Sequence, residues 1–290
     1  MNLYALISIG VILIHCTFLD KKSTVGYAKK KPARRDFIKL CAGGLGSLAI
    51  APFAGAINQA SMLTAPGNTD DKKLKIVCVG AHPGDPEFGC GGTMAKYSDA
   101  GHAVVFLYLT KGEASDPKKT FAAMAAARTA EAEVACRILK ATPLFAGQVD
   151  GNTVLDKDRN AVMAKLIMAE NPDLVFTQWP IDSHPDHQVT GLLVLTTWIQ
   201  SGRKFQLYFY EVNTGSETMA FVPTDYVDIA ATHSRKKGAM FAHKTQNPVE
   251  TYNNYFKPLK AFRGLEAGVK VAESFIHFKP TSAMTSLMGL

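Results

Sequence analysis

Residues 73–92 read "KLKIVCVGAHPGDPEFGCGG". The first half is a short apolar run rich in β-branched residues, which predicts a strand over 73–81. The second half changes to histidine, acid, proline and glycine. The late glycines, Gly89, Gly91 and Gly92, predict a loop that turns the chain into a helix over about 92–100. A dinucleotide fold would place G-x-G-x-x-G directly after the strand, and a P-loop would end in Gly-Lys-Ser/Thr. Ala81-His82-Pro83 stands in that position instead, and a bulky acid-and-proline segment precedes the clustered glycines. The spacing fits neither phosphate cradle.

Outward from this stretch the text alternates. Strands are predicted at 103–110, 143–147, 173–179 and 205–212, and helices at 118–141, 159–170 and 187–201. Further helices are predicted near 232–244 and 266–273. Near-continuous apolar strands separated by helices imply a mostly parallel sheet covered on both faces. The expected class is therefore α/β, a single-domain Rossmann-like layered fold. In such sheets ligands bind outside the carboxyl ends of the strands, where both histidine-bearing loops fall.

The chain has 290 residues, 47% of them apolar, and a net charge of +7. Residues 1–56 hold eight Lys or Arg against two Asp, so the other 234 residues carry 24 of the 32 basic and 23 of the 25 acidic groups. A nearly neutral body gives no footprint for nucleic acid. Arg34-Arg35, a Gly/Ala-rich apolar run and Ala54-Gly55-Ala56 resemble a twin-arginine export signal with a small-x-small cleavage site. Residues 1–56 are expected to be this leader, 57–73 a linker and 74–290 the folded domain. The expected location is exported, periplasmic or tethered through an uncleaved leader. The run "LYALISIGVILI" is short for a membrane span, which takes about 20 residues. Beyond the leader three cysteines remain, Cys78, Cys90 and Cys136, with no zinc-knuckle or disulfide spacing. Cys78 and Cys136 read as core residues.

The second loop, "WPIDSHPDHQVTG" at 179–191, packs Asp182, His184, Asp186 and His187 into six residues. Clustered ionisable groups are costly to desolvate, and a divalent cation would offset that cost. With His82 and Asp85 at one strand end and His187 at a neighbouring one, a two-His-one-carboxylate set forms, with a position left open for water or substrate. Zn2+ suits such ligands, and so does Fe2+.

The two loops, in this order on this pattern, resemble the PIG-L (LmbE-like) family of zinc-dependent N-deacetylases. The family's first motif, Ala-His-Pro-Asp-Asp-Glu then Gly-Gly, corresponds to "AHPGDPEFGCGG"; its second, His-x-Asp-His, corresponds to "HPDH" at 184–187. Weaker similarity runs through "AAARTAEAEVACRILKA", "AHKTQ" and "FRGLEAGVKVAESF". The resemblance implies removal of N-acetyl groups from amino sugars of the N-acetylglucosamine type by water activated on zinc. It places the metal on His82, Asp85 and His187, oxyanion or leaving-amine duty on His184, imidazole orientation on Asp186, and a later active-site histidine on His243. It makes Arg128 a substrate contact, with an i,i+3 pairing to Glu131 as the plainer reading.

One departure stands out. The family's general base, its first aspartate, falls on Gly84, and loss of a general base costs about 10²–10⁴-fold in rate. Glu87 is the nearest substitute in sequence, with Asp182 next, and its plainer reading is a helix-capping acid. The alternative is a metal- and carbohydrate-binding pseudoenzyme. Restoring Asp at 84 is expected to raise activity if the site is otherwise intact. Arg263 and Glu273 are expected to pair structurally, the aromatics of 205–212 to serve the core, and Trp179 to pack beside the second loop.

Overall fold

The computed structural model describes residues 72–279. The expected leader at 1–56, and all of the expected linker but its last two residues, lie outside them. Seven strands form one sheet in the order β3-β2-β1-β4-β5-β7-β6. The first five, β1 (Lys75–Gly80), β2 (Ala103–Tyr108), β3 (Ala141–Phe145), β4 (Leu174–Gln178) and β5 (Gln206–Tyr210), are parallel throughout. β7 (Ala272–Phe278) runs antiparallel to β5, and β6 (Asp225–Asp228) antiparallel to β7. The mostly parallel α/β sheet is as the sequence predicts; the antiparallel edge was not foreseen.

The sheet sorts its side chains by alternation. Ile76, Cys78, Phe106 and Tyr108 enter one core with α1 (Asp85–Asp99), α2 (Phe121–Leu139) and α5 (His233–Ala242). Val77, Val79, Val105 and Leu107 enter the other with α3 (Lys157–Ala169) and α4 (Pro185–Gln200). Because every central strand is buried on both faces, it reads as one apolar run. The three cysteines among the described residues, Cys78, Cys90 and Cys136, are free and buried. Among the described residues no helix is long and apolar enough to cross a membrane.

Three expectations are corrected. α1 begins at Asp85, not near Gly92, so the late glycines lie inside the helix. They serve close approach rather than turning. A Cβ at Gly89 would stand 2.3 Å from the Tyr210 ring, and one at Gly92 would stand 2.7 Å from Ile229. The helix predicted at 266–273 is instead the end of α7 (Lys257–Ala267), a left-handed stop at Gly268 and the start of β7. Between α5 and α7 lie a 3-10 turn (Lys244–Gln246), the short α6 (Pro248–Thr251) and a π-helical turn (Tyr252–Phe256). The Arg263–Glu273 pair does not form. Arg263 grips Glu211 through Nε and Nη2 at 2.7 and 2.8 Å, while Glu273 takes Lys236 at 2.5 Å.

Candidate active site

The strand order reverses direction at β1: β2 and β3 lie on one side of it, β4 and β5 on the other. The crevice beyond β1 and β4 is the switch point of the sheet, and a cavity of about 330 Å³ opens there. His82 and Asp85 reach it from the β1–α1 turn. His184 and His187 reach it from the first turn of α4, which His184 caps by accepting the Asp186 N–H on Nδ1. Arg128 comes from α2, Asp150 follows β3, Asn213 and Glu217 follow β5, and Gln246 follows α5.

Asp85 sits between two imidazoles. Its Oδ2 lies 3.3 Å from His82 Nδ1 and 3.5 Å from His187 Nε2, and also accepts the His82 N–H and Gln178 Nε2. Ligand atoms about 2.0–2.1 Å from a tetrahedral zinc stand about 3.3–3.4 Å apart, a spacing Asp85 meets with each imidazole; the three-residue groups whose ligand atoms all lie close together among the described residues are His82–His184–His187 and His82–Asp150–Asp186. The far edges of the rings are held by carboxylates. His82 Nε2 meets Asp150 at 3.0 Å and Asp186 at 3.1 Å. His187 Nδ1 is 3.2 Å from Asp182, in ion-pair range though off the hydrogen-bonding line. Asp186 also accepts from Gly151 N–H and the Thr153 hydroxyl, which ties the loop after β3 to α4. Such outer carboxylates orient metal-binding imidazoles.

The charges agree. Burial would push Asp85 up, yet His187 and His82 outweigh it and hold its carboxyl well below the ordinary range. Burial opposes protonation of His82 and His187, but carboxylates raise both: Asp150, Asp186 and Asp85 for the first, Asp85 and Asp182 for the second. The carboxylates flanking both rings thus favour positive charge at this end of the cavity. His184 goes the other way. Burial and then the two neighbouring imidazoles keep it neutral, and because its Nδ1 is an acceptor its proton sits on Nε2.

Other expected residues are placed differently. Glu87 is fully buried and off the cavity. It accepts from Gly84 N–H, from the Tyr108 hydroxyl and from His243 Nε2, so it caps α1 and anchors His243, itself fully buried. Neither Glu87 nor His243 lines the cavity. Arg128 does, but it is not paired with Glu131. Its guanidinium donates to Gly112 O and Pro83 O and leaves a buried Nε unsatisfied, while Glu131 holds Thr245. Asp150, Gln178, Glu217 and Gln246 were not singled out by sequence. Their one shared signal is position: the first three follow or end a parallel strand, where the switch-point rule places ligand sites.

An α/β sheet of this order, with a His/Asp cavity at its switch point, defines a class of small-molecule enzymes rather than a single chemistry. Residues 77–198 match the PIG-L family, described as GlcNAc-PI de-N-acetylase. The match covers 122 of the 290 residues, and the fold is shared with solved deacetylase structures. The chain is 28% identical over 224 residues to the diacetylchitobiose deacetylase of Thermococcus kodakarensis, covering 71% of this chain and 83% of that one. Among solved structures it resembles the N,N'-diacetylchitobiose deacetylase from Pyrococcus horikoshii (TM-score 0.63, 24% identity, 73% of this chain and 89% of that one). It equally resembles the 4-carboxy-2-hydroxymuconate hydratase of Pseudomonas putida (TM-score 0.63, 21% identity, 74% and 100%).

Proposed function

We propose that the chain is a metal-dependent hydrolase that removes N-acetyl groups from amino-sugar conjugates. The carrying observation is the convergence of His82, Asp85 and His187 at one end of the cavity, with His184 beside them. Its ring stacks on His187 at 4.6 Å and 15°. Zinc held by those three ligands would supply a Lewis acid for the acetyl carbonyl and bring the pKa of water towards about 7; the same donors accept iron(II). His184, neutral with Nε2–H free, donates to the developing oxyanion. Asp186 and Asp150 fix the His82 ring, and Asp182 does so for His187. Arg128 holds the β1–α1 turn by the Pro83 carbonyl and also donates to that of Gly112. The leader-like residues 1–56 would deliver the enzyme outside the cytoplasm, where glycans and glycoconjugates are the substrates within reach.

One observation favours the rival reading, a sugar-binding protein without turnover: residue 84 offers no carboxylate. The test is acetate release from a panel of N-acetylglucosamine conjugates, with and without added zinc. Stoichiometric metal with no release from any of them would leave the rival standing. Metal content is the second arm. His187→Ala should lose most of its bound zinc at matched fold, and full retention would refute the ligand assignment.

A further inference from the structure

Gln246 borders the cavity beside the β1–α1 turn. Its Nε2 donates to the Pro83 carbonyl at 2.7 Å. That bond decides which way the amide points, because turning it would set two oxygens against each other. Oε1 is therefore the free end, and it accepts no hydrogen bond from any described residue. A Cβ built on Gly84 would fall 2.8 Å from Nε2 and 3.2 Å from Oε1. The carboxamide thus fills the space of a side chain at 84, one residue ahead of Asp85.

We propose that Gln246 recognises the scissile amide, its Oε1 accepting the substrate's acetamido N–H. The inference rests on the deacetylase reading and deepens it. A secondary amide brings one acceptor, its C=O, and one donor, its N–H, on adjacent atoms. If the carbonyl lies over the His82–Asp85–His187 end, an N–H acceptor has to stand next to that end. Asp85 and Asp150 already face His82, and Glu217 stands 3.9 Å from His187 Nδ1, the edge turned away from Asp85. Gln246 Oε1 is the neutral acceptor beside the turn that carries Asp85; Asn213 Oδ1, also unpartnered on this wall, follows β5 instead. An O-acetyl ester would set its bridging oxygen against Oε1 with no hydrogen between them. Gln246 is thus a device for choosing N-acetyl over O-acetyl groups, since a site built for an N–H rejects the analogue that lacks it.

The experiment compares a 2-acetamido-2-deoxyglucoside with its 2-O-acetylglucoside counterpart, on the zinc-loaded wild type, Gln246→Leu and Gln246→Ala. The ratio of N- to O-acetyl kcat/KM should fall about 10- to 100-fold in both variants, with zinc content unchanged. A ratio that stays at the wild-type value overturns the proposal while leaving the deacetylase reading intact. Wild type inactive on every conjugate overturns both. A binding arm needs no variant and no turnover: titrating metal-free wild type calorimetrically with the two sugars should show the acetamido compound binding more tightly. Equal affinity counts against Gln246.

Discussion

Replacing Gly84 by Asp puts back the acid that the PIG-L pattern carries, and sequence alone would expect a faster enzyme. The structure predicts a less stable one. Gly84 has φ +111° and ψ −38°, away from the left-handed well near φ +57°, ψ +47° that asparagine or aspartate tolerates. Holding an L-residue there costs about 1–3 kcal/mol. Its Cβ would stand 2.8 Å from Gln246 Nε2, so the carboxamide must leave and its bond to Pro83 is lost, about 0.5–1.5 kcal/mol more. The new charge also meets Asp85 next door and Glu87, whose Oε2 already takes the Gly84 N–H. The sum, about 2–4 kcal/mol, corresponds to a fall of about 5–15 °C in Tm at about 2–4 °C per kcal/mol for a domain of this size. Thermal unfolding followed by circular dichroism measures it, with Gly84→Ala as companion. Alanine keeps the backbone and steric costs without the charge, so it should lose most of the same Tm. An alanine variant melting within a degree or two of wild type would refute the claim that this turn requires glycine.

Two further outcomes follow from buried charge. Arg263 is 5% exposed and its bidentate partner Glu211 also takes the Ser274 hydroxyl; Arg263→Met strands that carboxylate and should cost about 3–5 kcal/mol in urea unfolding, with Arg263→Met/Glu211→Leu costing clearly less. An equal loss in the double variant would show that packing, not the stranded charge, sets the cost. Lys260 is held down at about 7 by burial and then by Lys236, Lys237 and Lys257, against the pull of Glu273, and it touches His233 and Tyr252. Between about pH 7 and its unfolded value near 10.4 the unfolded chain binds the extra proton, so this residue makes stability rise with pH across that window. Lys260→Met should flatten the rise, and a variant that tracks wild type from pH 7 to 9.5 would contradict it.

What sequence could and could not reveal has physical causes. β1, β2, β4 and β5 were legible because strands buried on both faces are unbroken apolar runs. β7 was not, because Glu273 and Ser274 interrupt its apolar text. Both are buried polar residues that answer Lys236 and Glu211, distant partners no local pattern predicts. β6 is four residues long and mostly half-buried, so "DYVD" reads as loop. The start of α1 was misplaced because glycine signals both a turn and close packing, and here Tyr210 and Ile229 decide for packing. In the site, His82, Asp85, His184 and His187 were legible as two dense loops at strand ends. Asp150, Gln178, Glu217 and Gln246 are isolated polar residues in ordinary text, and only the folded chain brings them to the same crevice.

The fold does not choose between reactions, since a hydratase shares it as closely as a deacetylase does. The charges lining the crevice do discriminate. A substrate with several carboxylates, such as a carboxymuconate, needs free cationic donors. Here Arg128, the one arginine on the wall among the described residues, already spends two NH groups on the carbonyls of Gly112 and Pro83. Asp85, Asp150 and Glu217 face the cavity, and Asp182 and Asp186 stand behind it. Burial raises Glu217 against the pull of Asn213 and His187, with smaller pushes from Asp85 and Asp182. One divalent cation balances part of that charge and leaves little to attract a polyanion. A neutral acetamido sugar enters without that repulsion, and its hydroxyls are donors for the surplus carboxylate oxygens. The charge of the wall thus disfavours a polyanionic substrate and agrees with the uncharged one proposed above.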